Sequence, residues 1–186
     1  MRAQIYVEMQ VLKDFDLSFF GLKTGKHRFE YEVDKQFFEH FEFDEYLDAS
    51  FKVDLDFVKK ATLLELHFEA SGIGTLMCDL SNEQFEQPLS AELDLIVKFG
   101  EEYNDDNEEV LILPHGEHQM NVAQYIYEML VLALPNKKIH PGVTDGTLNS
   151  EVLERLKALE PNQEKENNDT DPRWDELKKL LIDKNK

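Results

Sequence analysis

Between Leu89 and Phe99 six apolar side chains, Leu89, Ala91, Leu93, Leu95, Val97 and Phe99, alternate with Ser90, Glu92, Asp94, Ile96 and Lys98. A period of two puts each set on its own face of an extended chain, and a run this long fits no helical register. The same period recurs upstream. Phe29, Tyr31 and Val33 alternate with Arg28, Glu30 and Glu32, and Phe51, Val53, Leu55 and Phe57 with Lys52, Asp54 and Asp56. Leu64, Leu66 and Phe68 continue the pattern after Lys59 and Lys60. Consecutive strands with short links imply an antiparallel sheet with one wet face and one face on a core.

The remaining segments fit around that sheet. Ile5–Leu12 is β-prone and Phe15–Phe20 is apolar, so residues 5–33 read as a pair of strands joined by the basic loop Gly21–Arg28. Gly72-Ile73-Gly74 marks a bulge or tight bend. Val110–Leu113 is a short strand. Asp34 caps a short helix carrying Phe37, Phe38 and Phe41. Asn121 caps a helix to about Leu134, with Val122, Tyr125, Ile126, Met129 and Ala133 on its buried stripe, and Pro135 ends it. The expected fold class is α+β: a curved, mainly antiparallel β-sheet with a packed helix and a helical C-terminal tail. The organisation follows as an α+β domain over 1–145 and a helix over 146–160, then a flexible linker over 161–170 and a short amphipathic helix over 171–186. That last helix opens with Asp171-Pro172 and presents Trp174, Leu177, Leu180 and Leu181, which must dock on the body or on a partner.

Charge constrains the partners. The net charge is −19, and residues 31–120 hold five basic against twenty-three acidic side chains. A general nucleic-acid surface is disfavoured, and docking onto a basic partner fits. Two basic spots could touch RNA phosphates: Lys23, Lys26, His27 and Arg28, and the loop of Lys137, Lys138 and His140. Glu101–Glu109, with six acids in nine residues, lacks the spaced oxygens of a calcium loop and reads as a solvated loop. No apolar run has the length of a membrane span or a secretory leader, so the expected location is cytoplasmic, with neither membrane nor DNA as partner.

The chemistry-bearing residues are few. Cys78 is the only cysteine, which excludes an internal disulfide and any zinc site of two thiolates. As a nucleophile it would need His67, His115 or His118 as base, and as a metal ligand it would need His115 and His118. A buried structural thiol is the plainer reading. No nucleophile elbow, phosphate-cradling loop or dinucleotide fingerprint is present. No catalytic residue, metal or cofactor is therefore expected. A ribonuclease or other hydrolase using His115 or His118 stays as the enzyme alternative, and an acidic chaperone for a basic client as the binding alternative.

Several motifs carry a resemblance when taken in order. They are G-L-K-T-G-K-H-R-F (Gly21–Phe29), Phe37-Phe38, G-x-x-x-x-x-C-D (Gly72–Asp79), V-K-F-G (Val97–Gly100), Y-I-Y-E (Tyr125–Glu128), L-x-L-P…H-P (Leu132–Pro141) and D-P-R-W (Asp171–Trp174). Together they resemble the YceD family, the large ribosomal RNA subunit accumulation proteins, in its Bacteroidetes-type form. The resemblance implies a ribosome biogenesis factor without a recognised catalytic site. Its partners would be a large ribosomal subunit precursor, through a basic ribosomal protein or ribosomal RNA. Many relatives read C-D-R-C-L and carry a further cysteine after the H-P loop. Here the corresponding residues are Cys78-Asp79-Leu80-Ser81 and Asn149-Ser150. The second thiol and the arginine are gone, which leaves Asp79 and its backbone as the part of that turn expected to face a partner.

Overall fold

The computed structural model describes residues 12–107, 110–148 and 151–159. Strands β1 (Asp16–Ser18) and β2 (Gly25–Asp34) come first, followed by helix α1 (Lys35–His40). The long strands β3 (Asp48–Lys59), β4 (Leu63–Met77) and β5 (Gln84–Gly100) follow, then β6 (Asn104–Asn107), β7 (Val110–Pro114) and β8 (Gln119–Asn121). Helices α2 (Ala123–Leu132) and α3 (Pro141–Thr144) complete the unit ending at Leu148. A second unit holds α4 (Glu151–Leu159), in which Arg155 Nη2 donates to Glu151 Oε1 at 2.7 Å. The expected linker over 161–170 and helix over 171–186, with Trp174, Leu177, Leu180 and Leu181, lie outside the described residues.

The fold is α+β, with a six-stranded sheet in the order β2-β3-β4-β5-β7-β6. All pairs are antiparallel except β5–β7, which is parallel. Alternation sets which side is dry. Opposed residues share a face, so Val33↔Phe51, Val53↔Ala70, Leu55↔Phe68, Phe57↔Leu66, Leu66↔Leu95 and Leu64↔Val97 line one side, and all are buried. Phe37 and Phe38 of α1, Ile126, Met129 and Leu130 of α2, and Phe15, Leu17 and Phe19 around β1 belong to the same core.

Local signals explain the helices. Asp34 Oδ1 accepts the Phe37 amide at 3.2 Å and starts α1. Asn121 works from within β8: its Oδ1 accepts the Ala123 amide at 2.9 Å, while its Nδ2 donates to Asp16 Oδ1 at 2.7 Å. The last carbonyls of a helix need partners, and the buried Tyr46 hydroxyl donates to the Leu130 carbonyl at 2.9 Å. Burial, and after it the Glu45 carboxylate, raise the Tyr46 pKa, so this hydroxyl keeps its proton.

Four expectations are corrected. The two described strands on either side of the basic loop do not pair with each other, because β1 pairs with β8 in a separate two-stranded sheet, Leu17 opposite Met120. The stretch Ile5–Val11 lies outside the described residues. Gly72 and Gly74 make no bulge, since β4 runs through both in unbroken register with β3 and β5. They are glycines because other groups approach them. A Cβ on Gly72 would stand 2.2 Å from the Ser50 carbonyl oxygen, and one on Gly74 would stand 2.5 Å from the Tyr46 ring. The acidic segment after Gly100 is not all loop, as Asn104–Asn107 adds the edge strand β6. Finally, the second half of the basic loop is strand. Gly25 begins β2, so Lys26 and Arg28 point to the wet face while the His27 ring turns to the core side, 6.1 Å from Phe57.

The wet face holds a titrating cluster. His67 Nδ1 donates to Asp94 Oδ1 at 2.6 Å, and Nε2 lies 3.3 Å from Glu69 Oε1. The hydrogen bond to Asp94 raises the imidazole pKa above its ordinary 6.5; burial opposes this, and Glu69 adds to the rise. A raised folded value means the charged pair stabilises fully below pH 6.5 and loses its effect as pH climbs through the folded value. The His67 ring resonances of the native chain should therefore titrate with a midpoint above 6.5, and Asp94→Asn should bring it down. An unchanged midpoint in that variant would remove Asp94 as the cause.

Candidate functional site

The two motifs with the most distinctive residue types, C-D and H-P, meet in space. β4 ends at Met77 and the chain turns through residues 78–83 into β5. The turn is closed by the Cys78 amide to the Glu83 carbonyl (2.9 Å) and the Asn82 amide to the Cys78 carbonyl (3.0 Å). Asn82 takes φ 60°, a left-handed conformation that asparagine tolerates better than most residues.

The loop after α2 zips onto this turn. The Asp79 amide donates to the Lys138 carbonyl, and the Lys138 amide returns a bond to Asp79 Oδ2, both at 2.8 Å. Lys138 Nζ reaches Glu45 at 2.8 Å. Asp79 is thus spent on a backbone clasp, and Lys138 is tied at both its amide and its ammonium. Two residues on, the His140 amide donates to Cys78 Sγ at 3.2 Å. His140 Nδ1 accepts the Gly142 amide at 2.9 Å and so caps α3, while its ring meets Phe85 edge-on at 5.6 Å. Of the three basic residues of this loop Lys137 is exposed, while Lys138 and His140 are half-buried.

Cys78 is completely buried. Its sulfur accepts from the amides of His140 and Ser81 (3.2 and 3.4 Å). Burial pushes the thiol pKa up, but the donors from His140, Ser81 and Leu80 outweigh it and leave it below its usual value. A lowered pKa without access makes no nucleophile. The proposed bases are also far away. His115 donates its amide to Gly100 at the opposite end of β5, roughly 50 Å of strand from Cys78 at ~3.3 Å per residue. His118 lies near it, against Phe20 with rings 4.4 Å apart. The Cys78–His115–His118 metal set therefore cannot assemble. Among the described residues, no group of three or more His, Cys, Asp or Glu side chains could hold a metal ion. Ser81 is buried beside Cys78, filling the turn with a hydroxyl. Asn149 and Ser150 lie outside the described residues.

The first basic spot sits at the other end of the sheet. His27 Nε2 donates to the Lys23 carbonyl at 2.8 Å, and Arg28 pairs with Asp54 at 3.3 Å. Lys23 and Lys26 are exposed. Gly25 pairs opposite Lys59, whereas the Cys78 turn joins the opposite ends of β4 and β5. The two basic spots are therefore not one patch. Lys59, read only as a strand boundary, ties the first loop down by donating to the carbonyls of Phe19 and Leu22 at 2.9 and 3.0 Å.

The family model described as Large ribosomal RNA subunit accumulation protein YceD matches residues 66–181, more than half of the chain and including both motif loops. The chain belongs to the YceD family. No curated protein and no solved structure matches it. The YceD description names a role in accumulation of large-subunit ribosomal RNA and no catalytic activity. Among the described residues no helix is long and apolar enough to cross a membrane.

Proposed function

We propose that this YceD-family chain is a non-enzymatic, cytoplasmic assembly factor that holds a basic ribosomal protein on acidic surfaces of its sheet domain. Precursor ribosomal RNA meets the basic side chains at the ends of the sheet, above all Lys23, Lys26 and Lys137. The observation that carries this reading is the wet face. Glu30, Glu32, Asp54, Asp56, Glu69 and Asp94 stand on it across four adjacent strands. Two of its cations are engaged by these acids, Arg28 to Asp54 at 3.3 Å and Lys52 to Glu30 at 3.2 Å, and the carboxylates outnumber the cations, so the surplus is negative. Such a surface steers a basic protein and repels phosphate, which leaves RNA only the ends. Asp79 supports the reading indirectly, by fixing the loop that carries Lys137.

In a lysate at low salt, the chain should sediment with large-subunit precursors and be released as salt rises. Deleting it should lower the ratio of large to small subunits. Sedimentation as free protein together with normal subunit ratios after deletion would refute the reading. Release of the chain by ribonuclease alone would move the main contact from protein to RNA.

A further inference from the structure

The pairing leaves β5 unevenly used. β4 covers it from Gln84 to Lys98, while β7 reaches it only from Ile96 to Gly100. Among the described residues the outer edge from Gln84 to Leu95 pairs with no strand. An open edge presents unpaired amides and carbonyls, a template for one more strand. Pro88 has no N–H to give, so the usable template is Leu89–Leu95.

A groove of about 1010 Å³ runs along this edge towards α2. Ser90, Ala91, Glu92 and Leu93 all border it. Successive strand residues point to opposite faces, so four in a row can border one groove only where it follows the strand's edge. Leu111 and Leu113 of β7 and Met129, Val131 and Leu132 of α2 make the apolar part of the wall. Leu132 is 84% exposed, a large apolar side chain that the described residues leave uncovered. The polar part is of one sign. Glu92, Asp105, Glu117 and Glu128 line the groove, and among the described residues no lysine, arginine or histidine does.

We propose that this groove takes an extended segment of a basic partner protein, added as a strand along Leu89–Leu95, with alternating cationic and apolar side chains. The proposal rests on the reading that the partner is basic, and adds where the partner binds and in what conformation. Main-chain bonds to the β5 edge supply affinity, and alternate side chains supply selectivity. The apolar set meets Leu132 and its neighbours, and the cations meet the four carboxylates. A second copy of the chain would bring its own excess of acids to an acidic groove, and RNA would bring phosphates; the charge opposes both.

The test titrates the full chain with a fluorescent octapeptide of alternating lysine and valine. A second peptide is N-methylated at alternate residues, which keeps charge and side chains but removes strand pairing. The expected result is binding of the first peptide with amide shifts confined to Leu89–Leu95 and the groove wall, and at least tenfold weaker binding of the second. Glu128→Lys combined with Leu132→Lys should cost at least tenfold while leaving the circular dichroism unchanged, since both side chains are exposed. Equal binding of the methylated peptide, or unchanged affinity in the double variant, overturns the proposal. Concentration-dependent dimerisation that the double variant abolishes also overturns it, making a second copy the occupant. The two readings fail separately. A double variant that keeps its ribosomal precursors at the native level removes the groove and leaves the assembly role standing. A native chain that sediments free removes the assembly role, while the peptide titration still decides the groove.

Discussion

Gly72→Ala should unfold the sheet domain more readily than any other single-methyl addition on the chain. The new Cβ would lie 2.2 Å from the Ser50 carbonyl oxygen and 2.6 Å from the Phe51 Cα, both backbone atoms of the paired strand. A side chain can swing away from an intruder; a strand hydrogen-bonded on both edges cannot. β3 and β4 must separate at Phe51↔Gly72, next to the buried Phe51 ring. The expected loss is about 3 kcal/mol or more, read as a Tm lower by roughly 10 °C. Gly116→Ala is the control, because its Cβ would meet nothing within 4 Å, and it should move stability by less than about 0.5 kcal/mol. Equal melting of the two variants would mean that the strands can part at Gly72 without cost.

Phe38→Ala should cost about 3–5 kcal/mol. Phe38 is fully buried, with ring centroids of Tyr46 at 4.6 Å, Phe37 at 5.5 Å, Phe43 at 6.1 Å and Phe51 at 6.2 Å around it. These rings come from α1, the following loop and β3, so the cavity would open where three segments meet. Collapse is resisted because the Tyr46 hydroxyl is held by the Leu130 carbonyl at 2.9 Å. Urea unfolding should show a lower midpoint with an unchanged slope. Phe20→Ala, at an exposed ring, should leave the midpoint close to native. A Phe38→Ala midpoint no lower than that of Phe20→Ala would show that the aromatic cluster is not the core of the domain.

The long strands were legible because each shows one face to water: Phe51–Phe57 alternates without a fault, and Leu89–Phe99 does so apart from Ile96 on the wet side. Strands of three residues, such as Asp16–Ser18 and Gln119–Asn121, are too short to show a period. Their pairing joins residues 105 apart, as at Asp16 and Asn121, and only the folded chain expresses it. The direction of β7 was hidden for a related reason, since alternation states which face is buried and not which way a neighbour runs. Gly72 and Gly74 were misread because glycine in a strand has two uses, a bend or a close approach, and the second depends on Ser50 and Tyr46. At the site, the C-D turn and H-P loop were visible as motifs. Their meeting was not, because Asp79 and Lys138 lie 59 residues apart. The open edge of β5 could have been suspected by comparing lengths: β5 has 17 residues and β7 only five.

The pairing of β1 with β8 also sets an order of events during synthesis. β2 to β5 form a run of neighbouring antiparallel strands, each complete soon after the last leaves the ribosome, and contacts so close in sequence form early. β1 has no partner until Asn121 has been made. Until then Phe15, Leu17 and Phe19 have only a half-built core to enter. The nascent chain is therefore expected to pass through a stage in which β2 to β5 are paired with one face open, and β1, the first of the described strands to emerge, is among the last to be placed.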